Sequence, residues 1–105
     1  MDAQIKKGLL DVCVLAAVSR EESYGYKIVS DLAPRIEISE STLYPILRRL
    51  EQSNCLTTRE AAHNGRLRRY YAITPQGRER VREFLNGWHE VQAIYACVRE
   101  ETENE

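Results

Sequence analysis

Ser39-Glu40-Ser41-Thr42-Leu43-Tyr44-Pro45-Ile46-Leu47-Arg48-Arg49-Leu50-Glu51-Gln52 is the stretch whose reading decides the fold. Leu43, Ile46, Leu47 and Leu50 fall at i, i+3, i+4 and i+7, the spacing that gathers apolar side chains on one face of an α-helix. That face must meet a core. Ser39 is a candidate cap at its start, and Asn54 a candidate end, because asparagine tolerates the left-handed conformation that a C-terminal cap needs. Pro45 stands close enough to the amino end to be accepted, with one N–H lost and a local bend expected. Away from the apolar stripe the same spacing leaves Ser41, Thr42, Tyr44, Pro45, Arg48, Arg49 and Gln52, a row of donors and cations on one surface.

Working outward, Ile5, Leu9, Val12 and Ala16 recur at helical spacing, with Leu10, Cys13 and Ala17 beside them. They predict a well-buried first helix that ends near Arg20. A short second helix is expected from Tyr24 to Ala33, with Ser23 as its cap, Ile28 and Leu32 on one face and Pro34 as its stop. On the other side, residues 55–60 and 68–74 are rich in Leu, Thr, Tyr and Ile and flank His63-Asn64-Gly65, which reads as one β-hairpin. Thr74-Pro75 then supplies a cap residue followed by proline at the first helical position. In the last helix Val81, Phe84, Trp88, Val91, Tyr95 and Val98 alternate at spacings of three and four, a coiled-coil seam. From Pro75 to Val98 such a helix spans about 36 Å, more than so small a domain covers with its own surface. A second copy of the chain is the expected cover, and Gly87 beside the seam allows close approach.

With 105 residues, 43% of them hydrophobic, the chain has the size and composition of one compact unit. Its net charge of −1 advertises no polyanion partner, but the charge is segregated. Residues 24–71 carry eight Lys/Arg against five acids, and residues 72–105 carry four against seven. The middle suits an anion; the tail does not. The run from Gly8 to Val18 after Lys6-Lys7 imitates a signal segment only until Asp11, a charge that favours a buried helix, and the run is too short to span a bilayer. A cytoplasmic protein is expected. Cys13, Cys55 and Cys97 are odd in number and widely spaced, so free core thiols are expected in place of a disulfide framework or a zinc site.

Three helices followed by a hairpin is the winged helix-turn-helix plan, in which the third helix enters the major groove of DNA and the hairpin lies along the backbone. Arg48 or Arg49 would address guanine edges or phosphates, Ser41, Thr42 and Tyr44 would bond phosphates or bases, and the ring of Tyr44 would touch a thymine methyl. Arg66, Arg68 and Arg69 on the wing are expected to clamp phosphates.

Residues 41–51, Ser-Thr-Leu-Tyr-Pro-Ile-Leu-Arg-Arg-Leu-Glu, and residues 65–77, Gly-Arg-Leu-Arg-Arg-Tyr-Tyr-Ala-Ile-Thr-Pro-Gln-Gly, resemble the two signature stretches of PadR-type regulators. Tyr24-Gly25-Tyr26 is similar to the same family's second helix, and the single C-terminal helix resembles that of its small, second subfamily. The departure is Asn54, where the family usually has glycine. The resemblance implies a repressor dimer on an inverted-repeat operator, with contacts from helix two (Tyr24, Tyr26, Lys27), helix three and the wing. It also implies an effector site: small multidrug-sensing members stack planar aromatic compounds against a tryptophan matched by Trp88, with Phe84 and Tyr95 nearby.

The fold class expected is therefore mainly α with a small β-hairpin: a winged-helix DNA-binding domain over residues 1–74, then a dimerisation helix and short acidic tail over 75–105. Neither cofactor nor metal is expected. A winged helix that binds protein would show an apolar or acidic third helix, whereas this one is cationic. Catalysis has little to work with, since His63 at the hairpin tip and His89 on an exposed helix side lie in no triad or metal spacing. Redox sensing by the cysteines is a minor alternative.

Overall fold

The computed structural model describes residues 1–103; Asn104 and Glu105, the end of the expected acidic tail, lie outside the described residues. The order is α1 (Ala3–Ala17), α2 (Gly25–Leu32), α3 (Glu40–Gln52), β1 (Leu56–His63), β2 (Arg66–Ile73) and α4 (Pro75–Glu103). This is the expected mainly helical winged helix-turn-helix with a long C-terminal helix.

Helix α3 is built as its pattern requires. The Ser39 side chain accepts from the Thr42 N–H at 3.3 Å, and Leu43, Ile46, Leu47 and Leu50 are buried. At the other end Asn54 has φ 62°, with Cys55 N–H bonded to the Leu50 carbonyl at 2.9 Å and Asn54 N–H to that of Glu51 at 3.1 Å. That pair of bonds is a Schellman closure, reached here without glycine. The core gathers around this helix: Val14, Leu15 and Val18 from α1, Ile28 and Leu32 from α2, and Cys55, Leu56 and Tyr71 from the hairpin.

Two expectations about the first helices are corrected. In α1 the side chains turned to the core are Asp11, Val14 and Leu15, while Ile5 is 57% exposed and Ala16 is exposed. The stripe through Ile5, Leu9, Val12 and Ala16 is the helix's second apolar face, and periodicity alone does not say which of two faces the core takes. Ser23 does not cap α2, whose N-cap is Tyr24 with no side-chain bond. Ser23 is instead buried as a single strand-like residue that exchanges both backbone bonds with Tyr71, at 3.0 and 2.7 Å. It ties the entry of α2 to the returning strand of the wing.

The hairpin is longer than its composition suggested, pairing Leu56 with Ile73 through to His63 with Arg66. His63 therefore ends a strand, and only Asn64-Gly65 turns, both at positive φ (51° and 78°) as a two-residue turn matched to strand twist requires. Helix α4 continues past Val98 through the acidic residues to Glu103, with Arg99 bonded to Glu103 one turn on at 2.7 Å.

Helix α4 starts against the end of α3. Thr74 accepts from Gly77 N–H at 3.0 Å and donates through its hydroxyl to the Asn54 carbonyl, while the Gln76 amide donates to the Ser53 carbonyl at 3.0 Å. Gly77 is buried so tightly that a Cβ there would collide with the Cys55 carbonyl and the Ile73 side chain. Gly77→Ala should consequently lower the unfolding free energy by about 1–2 kcal/mol, because overpacking outweighs the roughly 1 kcal/mol gain in helix propensity. Urea unfolding followed by circular dichroism reads this, and an unchanged or higher midpoint would mean the junction is looser than described.

Candidate nucleic-acid interface

The polar side of α3 faces a concavity of about 600 Å³ that it shares with the start of α2 and the base of the wing. Tyr24, Gly25 and Tyr26 line it from α2, Tyr44 and Arg48 from α3, and Leu67, Arg68, Arg69 and Tyr71 from the hairpin. Residues expected from three separate stretches thus meet at one surface. The ring of Tyr44 lies across Gly25, where an added Cβ would come within 2.6 Å of its hydroxyl. Absence of a side chain at Gly25 is what lets this tyrosine bridge the two helices. Ser41 and Thr42, outside the concavity, are exposed at the helix start and share hydrogen bonds with the Ser39 hydroxyl, at 2.9 and 3.2 Å. Pro45, half-buried, lacks the N–H that would bond the Ser41 carbonyl.

The cations divide into two sets. Arg48 and Arg66 are exposed and appear in no ion pair among the described residues. The others are engaged. Arg49 is corrected from the exposed row: it turns toward α1 and bonds the buried Asp11 at 2.7 Å. Three residues after the buried Ile46, it flanks the apolar stripe, whereas Arg48 lies nearly opposite it. Lys27 bonds Asp31 on the outer side of its own helix at 3.0 Å, a contact that raises its pKa, and it does not line the concavity. Arg69 reaches Glu51 at 3.2 Å and the Thr58 hydroxyl at 3.3 Å. Arg68 lies 3.6 Å over the Tyr24 ring and donates from Nε to the Tyr70 hydroxyl at 2.9 Å. Tyr24 and Tyr70 in turn meet edge to face, with centroids 5.8 Å apart. Arg68 is a strut between α2 and the wing.

Sequence reasoning missed what fixes the wing from the other side. Arg59 stacks 4.6 Å from the Tyr70 centroid and makes a two-pronged bond to Glu22 in the α1–α2 loop. No local pattern announces a pair 37 residues apart. It also missed Leu67, 73% exposed beside the arginines, where an apolar residue in a basic strand was the available signal.

On α4, Val81, Phe84 and Trp88 are half-buried, but Val91, Tyr95 and Val98 are exposed, as are Leu85 and Ile94. Phe84 and Trp88 stack with centroids 5.5 Å apart. Cys13 is half-buried and Cys55 buried, whereas Cys97, expected inside an apolar face, is exposed in the single chain. No helix among the described residues is long and apolar enough to cross a membrane.

The bond from Arg59 holds the Glu22 carboxyl below its ordinary value of 4.5. The tether's contribution is therefore complete above that value and lost as the pH falls through the lowered one. A carboxyl-detected NMR titration should place the Glu22 midpoint below 4.5 and return it there in Arg59→Gln. Equal midpoints in the two proteins would show that the wing is not anchored in this way.

Residues 14–83 match the family described as transcriptional regulator PadR-like. A PadR-family regulator of known structure from Eggerthella lenta is 34% identical and superimposes with a TM-score of 0.83, covering 92% of this chain and 87% of the other. A transcriptional regulator of Mycobacterium tuberculosis is 30% identical over 81 residues, 76% of either chain. At the level of fold alone, PadR of Bacillus subtilis, solved in complex with operator DNA, matches with 22% identity and a TM-score of 0.68 over 72% of this chain and 46% of its own. The chain belongs to the PadR-like family of transcriptional regulators.

Proposed function

We propose that this PadR-like regulator acts in the cytoplasm as a homodimer that grips an inverted-repeat operator and represses transcription. The carrying observation is the convergence of Tyr26, Tyr44, Arg48 and Leu67 from α2, α3 and the wing on one concave face, with Arg48 and the neighbouring Arg66 held by no carboxylate among the described residues. A face of that kind suits a phosphate backbone and groove edges together. Arg48, central on α3, is the residue assigned to base reading, with Ser41, Thr42 and Tyr44 on adjacent phosphates or bases. Arg66 is assigned to phosphate. Arg68 and Arg69 act mainly by holding the wing in place, because stacking and ion pairing already occupy them. The backbone start of α2 with Tyr24 and Tyr26 completes the contact, and Lys27 and Arg49 are left out of it.

Dimerisation follows from the exposed half of the seam. Val91, Ile94, Tyr95 and Val98 form an apolar stripe on a helix that extends a molecule 64 Å long, and a stripe of that size in water calls for a partner. A second copy offers the same stripe. Alone, each half-site would be a weak target.

A gel shift with the protein's own upstream DNA tests the reading. Arg48→Ala should reduce the preference for that DNA over random duplex by about 1–3 kcal/mol, while Arg66→Ala should weaken both alike and lower the salt slope by about one unit. Loss of both preferences in the same proportion would reverse or remove the assigned roles. Val91→Asp should shift the sedimenting species from dimer to monomer and take most of the affinity with it; single chains in the wild type at micromolar concentration would end the dimer reading.

The stacked Phe84–Trp88 pair supports one further part of this reading, a planar aromatic effector held at the seam with Tyr95 one heptad away. Addition of planar hydrophobic dyes should quench Trp88 fluorescence and release the DNA. Constant fluorescence across a panel of such dyes would leave Trp88 as seam packing only.

A further inference from the structure

Among the described residues Asp11 is the one charged residue buried in the chain, and it lies away from the concave face. A carboxylate out of water persists only where cations and donors replace its hydration. Here two guanidinium groups do so, each on its own oxygen: Oδ1 takes Arg49 of α3 at 2.7 Å, and Oδ2 takes Arg80 of α4 at 3.3 Å. One side chain of α1 thereby grips two other helices. Helices α3 and α4 have little direct contact, whereas α1 packs against both. Beside the triad an open hollow of about 420 Å³, lined also by Gln52 and Ser53, leaves the two arginines partly in solvent. The two ion pairs act here beside the packing of α1 on both helices.

We propose that Asp11 is a positioning residue that fixes the angle between α3 and α4, and through it the half-site spacing that the dimer accepts. The inference rests on the DNA-binding dimer reading above. The buried Leu43–Leu50 stripe already sets which way α3 faces, and the bond from Arg49 ties the helix in that orientation to α1. Pinning Arg80 to the same carboxylate sets where α4 leaves the domain. In a two-fold dimer joined along α4, any change in that angle appears twice in the separation of the two α3 helices. The duplex is unforgiving of such a change, since one base pair advances a half-site by about 3.4 Å and rotates it by about 35°. A clamp at the α1–α3–α4 junction therefore governs discrimination by spacing and leaves recognition within a half-site untouched.

Arg80→Gln cuts the α4 arm while Asp11 keeps Arg49, and Arg80→Lys restores a cation. The probes are duplexes with the inverted repeat that the wild type selects from a random pool, its centre unchanged, lengthened or shortened by one base pair, and a duplex with a single half-site. Wild type should prefer the parent spacing at least tenfold. Arg80→Gln should bind the single half-site as wild type does, remain dimeric by sedimentation, and discriminate among spacings less than threefold; Arg80→Lys should recover most of the preference. Discrimination in Arg80→Gln equal to that of wild type overturns the inference, as does a loss that falls equally on half-site and full site. Wild-type protein that binds these duplexes without regard to spacing, or as a monomer, would instead overturn the dimer reading beneath it.

Discussion

One-sided burial of α3 is the constraint from which the rest of the molecule follows. Leu43, Ile46, Leu47 and Leu50 are all but removed from water, and each such side chain contributes about 1.5–3 kcal/mol relative to exposure. No rotation of the helix keeps those four inside and also hides Ser41, Thr42 and Arg48. The exposed polar face of α3 is therefore a by-product of the core. The Schellman closure at Asn54 ends the helix where its apolar stripe ends, and the bonds from Thr74 and Gln76 to the Asn54 and Ser53 carbonyls start α4 from the same junction.

The arginines show how a chain of net charge −1 makes a cationic surface in one place. Carboxylates fix several of them in position: Asp11 holds Arg49 and Arg80, Glu51 holds Arg69, and Glu22 holds Arg59. The exposed pairs on Glu51 and Glu22 add little stability individually, and their value is in orientation. Of the cations in residues 24–71, Arg35, Arg48, Arg66 and Arg68 make no ion pair among the described residues; Arg68 is stacked on Tyr24 and Arg35 lies away from the concave face, which leaves Arg48 and Arg66, at the centre of α3 and near the wing tip. Net charge measured over a segment, the +3 of residues 24–71, thus overstates how many cations are free to meet an anion.

The elements themselves were legible because each carries a local signal. Period-3.6 burial marked α3, Asn-Gly marked the turn, and Thr-Pro marked the start of α4, and each lies where its chemistry puts it. Orientation was less legible. Helix α1 is apolar on two sides, so its core face through Val14, Leu15 and Val18 was not separable from the stripe through Ile5 and Leu9. Ser23 looked like a cap and is a strand residue, because a hydroxyl before a helix is equally at home in a backbone bridge. The fate of Arg49 depended on Asp11, 38 positions away, and that of Arg68 on Tyr24; neither distance nor stacking is written in local spacing. The family likeness gave the set of surfaces, and only the folded chain shows which of their side chains are already engaged within the protein.

The central claim, that the α2–α3–wing concavity is where duplex DNA lies, is tested most directly by mapping amide chemical shifts of labelled protein as a duplex of its upstream region is added. The account predicts that the large changes fall on Tyr26, Tyr44, Arg48, Arg66 and Leu67, with a second groove, lined by Cys13, Ala17, Arg20, Lys27 and Asp31 between the end of α1 and the outer side of α2, undisturbed. Changes centred on that groove, or on the junction of Asp11, Arg49 and Arg80, with the concavity silent, would contradict it.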